Sequence, residues 1–153
     1  MVENKYCSLY VNDMHLIVML IPYIEKELEK GSKIVTILEN SLESEINTFL
    51  EKVNLGKNKK NNIKKIMWNK NLLSEEQIGE IREKIVLVKG ERDFIENVNK
   101  VLRDDNKIIN CYKLEEFEHN SREILENHEA ILNTLGVRKI SGMFQTNKMM
   151  GIK

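Results

Sequence analysis

A chain of 153 residues that is 41% hydrophobic and 31% charged has the composition of one globular domain, and ~100–150 residues suffice to bury one core without disulfide or metal staples. Its 24 basic and 24 acidic residues cancel, which leaves no electrostatic footprint for general nucleic-acid binding. The longest apolar run, residues 16–21, falls far short of the ~20 needed to span a bilayer, and no basic-then-apolar leader opens the chain, so neither membrane insertion nor export is expected.

Residues 6–11, Tyr-Cys-Ser-Leu-Tyr-Val, read as a first strand that stops at Asn12-Asp13, a pair suited to a turn or a helix N-cap. Over residues 14–30 the apolar side chains Leu16, Met19, Leu20, Tyr23, Ile24 and Leu28 recur at helical steps, and Gly31 supplies the stop. Pro22 lies inside this pattern and predicts a kink or a joint between two shorter pieces. The apolar run 34–38 predicts a buried parallel strand, followed by a helix over 42–53.

The polar, basic stretch 57–62 predicts an exposed loop, and residues 63–68 a further strand. Ser74 with Gln77 three residues later forms a capping-box pattern for a short helix toward Arg82. A buried strand over 84–88 ends at Gly90, and Phe94, Ile95, Val98, Val101 and Leu102 form a helical stripe. A strand over 107–112, a long helix over 115–135 and a last strand over 139–145 complete the chain. Such alternation predicts one α/β domain over 1–153, three layers deep, with a mainly parallel sheet of about six strands covered by helices on both faces.

Cys7 and Cys111 sit far apart inside apolar runs and read as buried free thiols in a reducing, cytoplasmic setting. No G-x-x-x-x-G-K-S/T segment links a strand to a helix, so the phosphate-gripping loop of a nucleotide hydrolase is missing. Gly31-Ser32-Lys33 shares its composition but follows a helix instead of preceding one. His128-Glu129 starts a zinc-protease pattern whose second histidine is replaced by Leu132, and Glu116 with His119 is half of a di-iron pair whose other half is absent. No complete catalytic set emerges, which predicts a protein that is not an enzyme and needs no cofactor or metal.

In open α/β sheets ligands bind beyond the carboxyl ends of the strands, near the point where strand order reverses. That rule selects Tyr10, Asn12, Glu39, Asn40, Trp68, Asn69 and Arg92. Tyr10 and Trp68 would enclose the apolar part of a ligand, while Glu39, Asn40 and Arg92 would orient it. Edge packing and helix capping are the competing roles for the same side chains.

The segment Lys5-Tyr-Cys-Ser-Leu-Tyr10 resembles the H-x-x-x-F-Y opening of the MEDS domain (methanogen/methylotroph, DcmR-type sensory domain). Residues 23–31 and the strand 34–38 are similar to its F-x-x-x-G-L-x-x-G-E segment, with Tyr10 and Gly31 the firmest matches. His128-Glu-Ala-Ile-Leu-Asn133 resembles its Y-E-x-x-x-N helix, and Ile140-Ser-Gly-Met-Phe144 its closing C-x-Y strand. Lys5, Glu27, Gly142 and Phe144 depart from the family's histidine, glycine, cysteine and tyrosine. The resemblance implies a RecA-like fold without the ATPase loop and sensing of small hydrocarbon derivatives. Family members usually carry a kinase or DNA-binding output module, and these 153 residues hold none.

The expected function is therefore a non-catalytic sensory module that binds a small, partly apolar ligand and signals through a regulatory protein in trans, or as a homodimer. Alternatives are an interaction scaffold with a degenerate site, a nucleotide-binding protein without hydrolysis, and an enzyme built on Cys7, His15 and Glu39.

Overall fold

The structure, a computed structural model, describes residues 4–71, 73–82, 85–103, 105–134 and 136–140. Strand β1 (Lys5–Tyr10) leads through Asn12 into α1 (Asp13–Glu29). Asn12 is extended and its Oδ1 accepts the His15 N–H at 2.8 Å, the side-chain cap that its position before the helix requires. Helix α1 is continuous through Pro22, which sits on the exposed face where water can satisfy the carbonyl left without a donor. Gly31 ends it with φ +84°; the Gly31 N–H bonds the Leu28 carbonyl and the Ser32 N–H the Glu27 carbonyl, both at 3.0 Å. This double return needs a left-handed residue, which glycine supplies without strain.

Strand β2 (Ile34–Leu38) is followed by α2 (Glu43–Lys52) and α3 (Lys57–Lys64). Residues 57–62 are thus helical instead of a loop. The polar run hides a helix held by one anchor, the fully buried Ile63, and by Lys59, which pairs with Glu25 at 2.9 Å and Glu29 at 3.4 Å on α1. The strand expected over 63–68 does not form. Ile63, Ile66 and Trp68 are all buried, a spacing that fits a helix end and its exit but not a two-residue alternation.

The chain then runs along the outer edge of β2. The Asn71 side chain accepts the Leu38 N–H at 2.7 Å and donates to the Thr36 carbonyl at 2.6 Å, while its backbone N–H bonds the Leu38 carbonyl at 3.2 Å. Thr36 adds a hydroxyl bond to the Met67 carbonyl. The Ser74–Gln77 capping box forms as expected and opens α4 (Glu75–Gly79).

Strand β3 (Ile85–Lys89), α5 (Arg92–Val101), β4 (Lys107–Lys113) and α6 (Leu114–Glu126) follow. Helix α6 is broken at Asn120, whose φ of −135° is non-helical, and it stops far short of residue 135. Residues beyond it form an antiparallel hairpin, β5 (Ala130–Asn133) and β6 (Gly136–Lys139). Ala130 and Leu132 are buried with Ile131 and Asn133 less so, a period of two over too few residues to separate from a helix by sequence alone. The segment matched to the helix of the MEDS domain is therefore strand from residue 130. The last strand begins at Gly136 and ends at Lys139, with residues 141–145 outside those described.

The six strands lie in the order β2-β3-β4-β1-β5-β6, parallel except for β6. Alternation along each strand splits the core. Tyr10, Leu38, Leu87, Ile109 and Cys111 pack beneath α1, α2 and α3, while Cys7, Ile37, Val86, Val88 and Ile108 pack beneath α4, α5 and α6. The domain is a three-layer, Rossmann-like α/β fold.

Candidate functional site

Strand β1 connects to the far edge strand β2 through α1 on one face, whereas β4 connects past β1 to β5 through α6 on the other. The winding reverses between β1 and β4, which is where ligands settle in open α/β sheets. A cleft of about 440 Å³ lies there, beyond the carboxyl ends of β1, β3 and β4.

Its central group is Lys89, the last residue of an otherwise apolar strand and only 2% exposed. The ammonium lies 3.3 Å from the Asp13 carboxylate in the first turn of α1 and 5.7 Å from the centre of the Tyr10 ring. Burial pushes the Tyr10 phenol above its ordinary range, with Cys111, Asp13, Glu116 and Glu39 adding to the rise. Across the cleft Glu116 of α6 accepts the Arg92 backbone N–H at 3.3 Å through one oxygen, while its other oxygen is buried without a partner among the described residues. Four carboxylates, from Asp13, Glu91, Glu115 and Glu116, line the cleft against the two lysines Lys89 and Lys113.

Of the residues selected by sequence, Tyr10 and Asn40 line this cleft. Asn12 is the α1 cap, and Glu39 caps α5, its Oε1 accepting the Glu91 N–H at 2.7 Å. Gly90 makes that approach feasible, since a Cβ there would fall 2.6 Å from Phe94 and 2.7 Å from the Glu39 carboxylate. Trp68 lies in the core instead of on the cleft wall: its indole N–H bonds the Ile63 carbonyl at 2.9 Å and its own carbonyl accepts the Leu42 N–H at 2.7 Å. Asn69 is exposed and accepts the Ser41 hydroxyl at 3.2 Å. Arg92 contributes only its backbone here, because its guanidinium turns to α6 and another cavity.

That second cavity, of about 270 Å³, lies on the α5–α6 face above β4. Its floor is a closed polar network. Asn99 and Asn110 exchange amide bonds of 2.9 and 3.0 Å, and the Asn110 amide also meets His128 Nε2 at 2.9 Å. His128 Nδ1 faces the Ile124 carbonyl, which can only accept, so Nδ1 carries the proton and Nε2 accepts from Asn110. The ring packs edge-on against Tyr112 at 5.6 Å. Burial lowers the His128 pKa to about 4, with the Ile124 carbonyl opposing and Lys5 reinforcing the shift.

Cys7, His15 and Glu39 do not form one constellation. Cys7 lies under the α4–α6 layer, His15 accepts the Val11 N–H at 3.0 Å, and Glu39 follows β2, three strand positions from β1, or roughly 14 Å at ~4.8 Å per strand. Burial pushes both thiols up to about 12, which keeps them protonated near neutrality. Among the described residues no group of three or more His, Cys, Asp or Glu side chains could hold a metal, and no helix is long and apolar enough to cross a membrane.

Lys89 and Asn110 escaped the sequence reading although each left a signal. A lysine closing Ile-Val-Leu-Val and an asparagine inside Ile-Ile-Asn-Cys-Tyr are polar residues in strands otherwise buried on both faces. Comparison with protein-family models, with curated proteins and with solved structures gives no match.

Proposed function

We propose that the chain is a non-catalytic regulatory module that binds a small ligand in the strand-end cleft and signals in the cytoplasm through a partner protein or a second copy. The observation that carries this reading is the buried Lys89 paired with the partly exposed Asp13 at the reversal of strand order, in a cleft also lined by Glu116, one oxygen of which lacks a donor among the described residues. A ligand that brings a donor to Glu116 satisfies a group the fold leaves short.

The lining also shapes the ligand. With Trp68 in the core, Tyr10 is the one aromatic side chain on the wall among the described residues, so the ligand is mainly polar with a modest apolar part. The resemblance of residues 5–10 and 23–31 to the MEDS domain supports a sensory role, and a hydrocarbon derivative bearing an amine or hydroxyl meets both conditions. Nucleotide binding is the weaker reading. The first turn of α1 already holds Asn12 and Asp13 where a phosphate would sit, and carboxylates outnumber lysines around the cleft.

Signalling follows from α6, which supplies Glu115 and Glu116 to the cleft and whose first turn is tied to α5 through Arg92. A thermal-shift screen of small amines and alcohols tests the reading. A ligand should raise the melting temperature of the wild type and lose that effect in Glu116→Gln or Lys89→Met. Stabilisation by none of them, together with a stable co-purifying partner, would instead favour an interaction scaffold.

A further inference from the structure

The cavity between α5 and α6 is built from groups that a purely structural core does not need. Strand β4 is apolar around Asn110, with Ile108, Ile109 and Cys111 buried beside it, and the β3 positions on the same face are Val86 and Val88. An amide at such a point is costly unless bonded, and it is satisfied here by recruiting Asn99 from α5 and His128 from the α6–β5 junction. All three line one cavity of about 270 Å³, about nine water volumes. The polar floor faces a space instead of packed carbon.

The mouth of the cavity is charged. Arg92 reaches Glu96 through Nε at 3.0 Å and Glu123 of α6 through Nη2. Lys5 and Lys100 complete the rim, so three cations stand against two carboxylates and the lining carries one net positive charge.

We propose that this cavity binds a small carboxylate, held by the Arg92 guanidinium at the mouth with its polar body against Asn99, Asn110 and His128. A guanidinium presents a planar fork that matches a carboxylate with two parallel bonds. Glu96 lies one turn along the same helix, whereas Glu123 belongs to a different helix and its side chain is 64% exposed. An incoming carboxylate therefore displaces Glu123, whose return to water costs little. Release of Glu123 removes the ion pair between α5 and the second half of α6, while Glu116 stays pinned to the Arg92 backbone on the other side of the break at Asn120. This site lies on the face opposite the Lys89–Tyr10 contact and stands independently of the function proposed there.

Histidine-ring NMR of the full chain, following His128 during titration with acetate and succinate, tests the proposal, with acetamide and succinamide as neutral controls. The expected result is a saturable shift of the His128 ring with at least one carboxylate and none with its amide. The shift should need about tenfold or more of the acid in Arg92→Lys, which keeps charge but loses the fork. It should vanish in Arg92→Met and persist in Lys89→Met. Absence of a saturable shift with either acid, an equal response to the amides, or an undiminished response in both Arg92 variants overturns it. Should Arg92→Met fail to fold, the amide controls and Arg92→Lys decide alone.

Discussion

The side-chain amides of Asn99 and Asn110 face each other as a reciprocal pair, with bonds of 2.9 and 3.0 Å that join α5 to the central strand β4. Asn110 also serves His128, so it has two dependants where Asn99 has one. Truncating Asn110 leaves the buried His128 and the half-buried Asn99 each short of a partner, and Asn110→Ala should cost about 2–4 kcal/mol. Asn99→Ala, at a half-buried helix position, should cost about 1–2 kcal/mol. Urea denaturation of the two single variants and the double variant measures this. Strictly additive losses would show that the network is not the closed unit its geometry describes.

His128 gives the protein an acid-sensitive core. Its pKa is about 4 in the folded chain against an ordinary 6.5. Between these values the unfolded chain binds a proton that the folded chain refuses, so stability is complete above pH ~6.5 and falls as pH drops toward 4. The loss from this group is on the order of 3 kcal/mol across that window. Protonation cannot be absorbed locally, because Nε2 would then present a donor to the donor end of the Asn110 amide. Urea midpoints measured from pH 7.5 to 4.5 should fall in the wild type and flatten in His128→Phe. Parallel slopes in the two proteins would remove His128 as the cause.

The parallel core of the fold was legible because β1, β2, β3 and β4 are short, mainly apolar runs that alternate with helical stretches. Legibility failed where tertiary contacts outweigh pattern. Helix α3 carries one buried residue in eight, and its ion pairs with Glu25 and Glu29 come from a helix thirty or more positions earlier. Strand β5 has only four residues and becomes a strand by pairing with β1, a contact across more than one hundred positions. The candidate cleft was legible in its position at the strand ends, and less so in its residues. Tyr10 and Asn40 reach the cleft directly, but the register that turns Lys89 toward Tyr10 and Asp13 depends on the sheet order.

The Lys89–Asp13 pair predicts asymmetric mutational costs. Lys89 is almost fully buried while the Asp13 side chain is 35% exposed, so Asp13 loses little hydration by pairing and Lys89 loses nearly all of it. Asp13→Asn leaves a buried ammonium with its partner neutralised and should destabilise by about 1–3 kcal/mol, below the cost of breaking a fully buried pair because water reaches Asp13. Lys89→Met removes the buried charge and keeps the stem against Tyr10, so it should be close to neutral, within about 1 kcal/mol. Thermal melts of both variants check the order. A larger loss for Lys89→Met would mean that its ammonium holds the strand ends together beyond its contact with Asp13.

Asn71 stands in for a missing strand. Among the described residues no strand lies beyond β2, and an open edge of Ile-Val-Thr-Ile-Leu invites pairing with another chain. The Asn71 amide offers that edge an acceptor for the Leu38 N–H and a donor for the Thr36 carbonyl, the two groups a neighbouring strand would engage, and its backbone N–H takes the Leu38 carbonyl as well. Asn71→Ala removes both side-chain bonds from a half-buried edge and should cost about 1–3 kcal/mol. It should also uncover the edge for intermolecular pairing. Asn71→Asp keeps the acceptor toward Leu38 but turns an anionic oxygen on the Thr36 carbonyl, so it should lose stability without restoring the cover. Light scattering during incubation near the melting midpoint separates the effects. Faster aggregation of Asn71→Ala than of a control variant with equal stability loss elsewhere supports edge protection, and equal rates would reduce Asn71 to two ordinary hydrogen bonds.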